Sequence, residues 1–309
     1  MGCAILNSID KRRVPTFVII GAENTGTVAL HRYLVQHPEI YMAPVRDPLF
    51  FAFAGEHPAF SGPGDVELQR RIVTALEQYL GLFENGAHCR VRGELSGAYL
   101  YYPAAARRLR ELAPDTKLIV TLRCPADRAY SNFLHARLLR REPIRKFEEA
   151  LKVEPNRISE GWSHFFHYRA KGWYYRQLLP WLDLFPREQI MINLYEDLRS
   201  DPAGLVRDIL RFIGVDAEYP INWETKYNLS GPTWGVQLRL FLQRSSPAAR
   251  NFVPDRLRAG IKETVQRYTT GPTIAPSAIR QEMLQTYAPD IEKLAKLLGR
   301  DLSGWVQSG

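Results

Sequence analysis

Between Phe17 and Leu34 the chain carries a cradle for an anion. Gly21, Thr25, Gly26 and Thr27 lie in GAENTGT. That turn falls between an apolar run of the buried-strand kind, Phe17 to Ile20, and a pattern of helical spacing at Ala29, Leu30, Tyr33 and Leu34. A strand, a glycine-bounded turn and a helix start aim backbone N–H groups and the positive helix end at one anion, so the segment predicts a phosphorylated ligand. The spacing G-x-x-x-x-G is that of a nucleotide phosphate loop, but Thr27 stands where such loops place a lysine. The strand KLIVTLR (117–123) ends in Arg123, where nucleoside triphosphatases place a magnesium-binding Asp. These two departures argue against ATP or GTP hydrolysis and against a kinase. Glu23 puts a negative charge in the same loop and must point away or pair with an arginine.

The elements that would hold this loop alternate between strand and helix. Residues 55–64 read as a loop and 66–83 as helical. CRVRGELS (89–96) reads as a strand, and Pro103 opens a helix to about Leu112. The strand 117–123 is followed by a helix from Pro125. Residues 163–184 read as one long amphipathic helix rich in Trp and Tyr. QIMINL (189–194) is another strand, and a helix over 203–213 ends at Gly214. Helical patterns return at 234–243 and 281–298, the last with Leu284, Tyr287, Ile291, Leu294 and Leu298 on one face. This order predicts an α/β fold, a central parallel sheet with helices on both faces. Ligands of such sheets bind at the carboxyl ends of the strands, so the loops after Ile20, Glu94 and Arg123 should share one site. With no internal repeat and no low-complexity linker, residues 1–309 read as a single domain.

The 45% hydrophobic and 24% charged residues fit a globular enzyme with a large core. Three widely spaced cysteines, Cys3, Cys89 and Cys124, fit no metal-ligand pattern and point to a reducing compartment. The start, MGCAILNSIDKRR, has neither a secretory pattern nor the Ser or Thr of a myristoylation signal, and no stretch approaches the roughly 18 apolar residues of a membrane span. The reading is a cytoplasmic protein without membrane or nucleic-acid partners. The formal net charge of +8 suits anionic small ligands. The densest basic cluster, HARLLRREPIRK (135–146), lacks interleaved aromatics and reads as a solvated helix face.

The segment from Pro15 to Pro38 resembles the 5′-phosphosulfate loop of sulfotransferases that use 3′-phosphoadenosine-5′-phosphosulfate (PAPS). In that pattern a strand, G-x-x-K-T-G-T-T, a helix and a His-Pro pair follow one another. Gly21, Thr25, Gly26, Thr27, Leu30, His37 and Pro38 fall in register. KLIVTLRCPADRAYSNFLHAR (117–137) resembles the family's 3′-phosphate segment, which implies that Arg123 and Ser131 bind the 3′-phosphate. A guanidinium fork and a hydroxyl suit a dianion. GELSGAYL (93–100), GWYYRQLLPWLDLFPREQIMINLYEDL (172–198) and KYNLSGPTWGVQL (226–238) resemble further family segments, and the last implies that Ser230 and Gly231 close over the nucleotide. The matches run from about 15 to 242, leave 243–309 unassigned, and lie closest to the heparan-sulfate-type and bacterial small-molecule branch. They imply a P-loop-like sulfotransferase fold, PAPS as donor and PAP (adenosine 3′,5′-bisphosphate) as product without a metal, and a hydroxyl or amine of a small molecule or carbohydrate as acceptor.

The same resemblance assigns the chemistry. YMAPVRDPLFFA (41–52) is similar to the K-E-x-H-F-F stretch that carries the family's base. Asp47 then stands at the base position and Arg46 at the lysine position. Beside the apolar pair Phe50–Phe51, a carboxylate would have its pKa raised, which suits a base. His135, four residues beyond Ser131, matches a histidine that assists at the sulfonate. The chain departs from the pattern at three places: Asn24 replaces the loop lysine, Leu95 a second lysine and Val28 a threonine. Losing one preorganised charge of this kind typically costs roughly 10²–10³ in rate. Arg46, Arg92 and Arg13 are the candidates for supplying charge from another direction. These departures keep open a second reading, a PAPS- or PAP-binding relative with lost or repurposed catalysis.

Overall fold

The computed structural model describes residues 10–223 and 273–307. Five parallel strands form the sheet: β1 (Phe17–Gly21), β2 (Ile40–Met42), β3 (Val91–Leu95), β4 (Lys117–Leu122) and β5 (Ile190–Leu194), in the order β2-β3-β1-β4-β5. The chain leaves β1 to one side for β2 and β3, then crosses to the other side for β4 and β5. That makes β1 the switch point of a doubly wound sheet, and the crevice lies at its carboxyl end.

Alternation along the strands divides the core in two. Val18 and Ile20 of β1, with Leu118, Val120 and Leu122 of β4, face one layer. Its helices are α2 (Pro103–Leu112), α3 (Pro125–Leu138), α4 (Phe147–Ser159), α5 (Tyr174–Leu184) and α7 (Ser277–Leu298). Phe17 and Ile19, with Ile119 and Leu95, face the other, where α1 (Thr27–Leu34) and α6 (Pro202–Ile213) pack. Strands buried on both faces explain why β1 and β4 read as continuous apolar runs. The closing helix α7 shares the first core through Met283, Leu284, Tyr287, Ile291 and Leu294. Among the described residues no helix is long and apolar enough to cross a membrane.

The predicted strands hold to within two residues at each end, but two predicted helices do not hold. Over 66–83 there are two short helices, Asp65–Gln69 and Leu76–Gly81. Between them the chain is irregular and the Val73 N–H donates to the carbonyl of Pro48 at 2.8 Å. Over 163–184 only Tyr174–Leu184 is α-helix; His164–Phe166 and Ala170–Gly172 are single 3₁₀ turns. The solvated helix face expected at 135–146 ends with α3 at Leu138, and Glu142 is buried in a two-pronged ion pair with Arg157 at 2.6 and 2.8 Å. The helical pattern at 234–243 lies outside the described residues.

Gly93 is the tightest point of the sheet. A Cβ there would lie 2.2 Å from Cζ of Phe17 and 2.6 Å from Sδ of Met42. Gly93→Ala is expected to destabilise the fold by about 1–3 kcal/mol through overpacking. Phe17→Leu in the Gly93→Ala background should return part of that loss. Urea unfolding of the two single variants and the double variant measures the coupling.

Candidate active site

Backbone bonds converge on the end of β1. The Ala22 N–H donates to Thr121 O of β4 at 2.9 Å, and the Ser96 N–H, just past β3, donates to Ile19 O at 3.1 Å. The turn itself is closed by the buried Thr25 hydroxyl, which donates to Ala22 O at 2.7 Å. Asn24 (φ 64°) and Gly26 (φ 89°) flank Thr25 in left-handed conformations. Gly26 is required twice over, since a Cβ would also lie 2.5 Å from Cδ2 of Leu198. Helix α1 starts at Thr27 with no side-chain cap; the Ala29 N–H turns back to Gly26 O at 2.9 Å, and the N–H groups ahead of it lie at the positive helix end, which suits an anion.

Asp47 reaches the loop from the segment after β2. Its N–H donates to Leu95 O at 2.8 Å, and its Oδ1 accepts the Gly97 N–H at 3.0 Å. Asp47 (φ 53°) and Leu49 (φ 54°) both take left-handed backbone, a strain that the fully buried Leu49 holds in place. Asp47 is half-buried, and its pKa is raised by desolvation and by the charge of Glu23, against the lowering effect of the Gly97 bond. Arg46 is exposed at the rim, where its charge still acts on Asp47.

Arg123 follows β4, the other neighbour of β1. Its guanidinium is buried, lies 4.5 Å from the ring centroid of Tyr195 and donates through Nη2 to Thr273 O. Its Nη1 is buried and has no partner among the described residues. Ser131 and His135 lie on the more open side of α3, four residues apart, so they share a face. The His135 ring is open to solvent and meets Phe165 edge-on at 5.6 Å. Desolvation lowers its pKa, with Glu23 acting against it and Arg141 and Lys171 with it. Ser230 and Gly231 lie outside the described residues.

The loop carboxylate has partners the sequence did not reveal. Oε2 of Glu23 accepts from Nζ of Lys171 at 2.5 Å, and Oε1 lies 3.5 Å from Nε2 of His164. Burial alone would raise the pKa of Glu23; the charges of Lys171 and His164 hold it well below the ordinary value. Nδ1 of His164 bonds the Tyr102 hydroxyl at 2.9 Å, and Nδ1 of the neighbouring His167 bonds the Tyr101 hydroxyl at 2.9 Å. Two of the arginines expected to supply charge at the transfer site, Arg92 and Arg13, are engaged elsewhere. Arg92, at the start of β3, donates to the carbonyls of Lys11, Val14 and Cys89. Arg13 reaches Glu77 and Glu84 at the surface. Leu95 is buried and packs into the second core. Glu94, one residue earlier, is a buried carboxyl held by the hydroxyls of Tyr79 (2.5 Å) and Ser96 (2.8 Å), and burial raises its pKa to about 7.

An open helix end at a switch point, with an arginine just past the adjacent strand, is an arrangement that suits a phosphorylated ligand. The chain belongs to the sulfotransferase domain family, whose model matches residues 15–226. It is similar over 94% of its length to a solved sulfotransferase from Alicyclobacillus acidocaldarius, with 32% identity, a TM-score of 0.74 and 98% of that chain covered. It is also 30% identical, over 67% of this chain, to a bifunctional heparan sulfate N-deacetylase/N-sulfotransferase 3 of Homo sapiens. To heparan sulfate glucosamine 3-O-sulfotransferase 3A1 of Mus musculus it is 29% identical over 69% of this chain. The chain spans 23% and 49% of the length of these two relatives.

His167 supplies a stability test. It is buried, and burial with the nearby Lys171 charge lowers its pKa from 6.5 to about 3. Between those values the unfolded chain binds a proton that the folded chain refuses, so stability falls as pH drops through this window. His167→Gln is expected to flatten that acid limb by up to one proton, about 1.4 kcal/mol per pH unit. Urea midpoints across the window measure the slope.

Proposed function

We propose that the chain is a PAPS-dependent sulfotransferase that moves a sulfuryl group to a hydroxyl or amine of a small molecule or carbohydrate. The observation that carries this reading is the pairing of an uncapped loop-to-helix turn with a buried arginine that keeps one nitrogen free among the described residues, on adjacent strands. A buried donor without a partner is costly, and the 3′-phosphate of the donor nucleotide would satisfy it.

In this reading Gly21, Thr25, Gly26 and Thr27 hold the 5′-phosphosulfate, and Arg123 with Ser131 holds the 3′-phosphate. Ser230 and Gly231 are proposed to close over the nucleotide. PAPS supplies a sulfuryl group: its S–O bond to the 5′-phosphate breaks as the acceptor oxygen or nitrogen bonds sulfur, and the electron pair leaves on PAP. Asp47 takes the acceptor proton. Its raised pKa brings its proton affinity nearer to the task, and the Gly97 N–H fixes one oxygen so that the other can face the acceptor. His135, held largely neutral at pH 7, can donate or accept at the sulfonate. Most of the rate enhancement then comes from positioning and electrostatics. Asn24, in place of a loop lysine, favours the second reading, in which nucleotide binding survives without ordinary transfer.

Release of PAP from PAPS over a panel of hydroxyl and amine acceptors separates the two. Acceptor-dependent turnover supports transfer; tight PAP binding with no turnover on any acceptor supports the second reading. Arg123→Ala should weaken PAP about 10- to 100-fold while barely affecting adenosine 5′-monophosphate, since one charge-assisted contact is lost. Equal weakening of both nucleotides in calorimetry would refute the 3′-phosphate assignment. Asp47→Asn should lower kcat by about 10²–10⁴ with PAP affinity unchanged. In the native chain kcat rises with pH as Asp47 loses its proton, and the variant should lack that limb.

A further inference from the structure

We propose that Lys171, anchored by Glu23, is the cation that binds the moving sulfonate in place of the absent loop lysine. The inference rests on the PAPS reading above. Lys171 is 148 residues from Glu23 in sequence, yet its ammonium touches the phosphate loop one residue before Asn24. Its side chain is only 4% exposed. An ammonium has three N–H donors, and among the described residues this one uses a single donor, on Glu23. Two donors left over in a buried place call for an anion.

The turn that carries Lys171 is tied down from three directions. Both oxygens of the buried Glu154 accept backbone N–H groups, from Arg169 at 2.8 Å and Ala170 at 2.9 Å. The Tyr287 hydroxyl donates to Arg169 O at 2.7 Å, and Gln177 Nε2 donates to Ala170 O at 3.2 Å. Such fixing is what a preorganised charge needs. The ammonium also lies among the groups assigned to the chemistry. It acts on His135, and its partner Glu23 acts on both His135 and Asp47. Burial lowers the Lys171 pKa to about 8, with Arg128 pushing the same way against Glu23 and Glu154, so it is mostly charged at pH 7. Glu23 thereby has a role that the sequence alone left as an anomaly: it holds a lysine where the loop has none.

Calorimetry with PAPS and with PAP tests the assignment, because only PAPS carries the sulfonate. Lys171→Met should weaken PAPS about tenfold or more and PAP less than about threefold, and lower kcat by about 10²–10³. Removing Lys171 leaves the buried Glu23 with His164 alone, so Glu23→Gln/Lys171→Met serves as the second variant and should lose the same preference for PAPS. Asn24→Lys/Lys171→Met returns the charge to the loop and should recover both PAPS preference and kcat. If native protein binds both nucleotides and the variants weaken both equally or neither, or if the loop lysine rescues nothing, this assignment is overturned and the PAPS reading stands. If native protein binds neither nucleotide, the PAPS reading fails and takes this inference with it.

Discussion

A turn whose backbone and helix end attract negative charge carries a carboxylate, and the neutralisation of Glu23 organises much of what surrounds it. Left unpaired, that charge would repel the anion the loop is shaped for. The fold answers with Lys171 at 2.5 Å and His164 at 3.5 Å, both from the two 3₁₀ turns that precede α5. Those turns cannot be helix if they are to face the loop. The aromatic and histidine side chains between 162 and 168 are spread by the turns instead of being stacked on one face. Tyr101 and Tyr102 then fix the two histidines, and Glu154 fixes the turn that bears the lysine. The ion pair is thus the meeting point of the loop after β1, the tyrosines before α2 and the segment before α5.

The second requirement is mechanical. Three strand ends must stay in register for a loop, a carboxylate and an arginine to face one another. Backbone bonds from Ala22 to Thr121, from Ser96 to Ile19 and from Asp47 to Leu95 fasten these ends across strand boundaries. The left-handed backbone at Asp47 and Leu49 is the local cost, of order 1–3 kcal/mol each. It is held by the burial of Leu49 and by the Val73 N–H on Pro48 O. That last bond also explains why the expected helix over 66–83 is interrupted: its middle serves as a prop for the strained segment.

The parts legible in the sequence are those whose signal is contiguous. β1, its turn and α1 follow one another without a gap, and β4 leads directly into Arg123 and α3, so apolar runs and punctuation suffice to place them. That the sheet is parallel follows from strands alternating with helices; the short β2 carries too few residues for a pattern, and the strand order is set by long-range pairing. What sequence reasoning missed is long-range pairing. Glu23 is visible in the sequence as a charge out of place, but its partner is a lysine with no motif around it, 148 residues away, where the sequence suggests an arginine. His164 and His167 gave no periodic signal because they sit in a tight turn. Leu95, which the resemblance sets at a second lysine position, packs with the second core.

The C-terminal segment, for which the sequence offered no motif, bears on the arginine end of the site. Asp127 in the first turn of α3 accepts the Ala275 N–H at 2.9 Å and pairs with the buried Arg280 at 3.2 Å. Arg280 in turn donates to Trp305 O at 2.7 Å. These bonds hold Thr273 where its carbonyl takes one nitrogen of Arg123. With that nitrogen occupied and the Tyr195 ring against the guanidinium face, the rotation of the fork is restricted, and Nη1, without a partner among the described residues, is left in a defined direction. An arginine held on one prong and stacked on a ring loses little further freedom when an anion arrives, which favours binding through preorganisation. The residues beyond 272 therefore belong to the same physical argument as the loop after β1: each end of the crevice is a charge whose direction is set by chain distant in sequence.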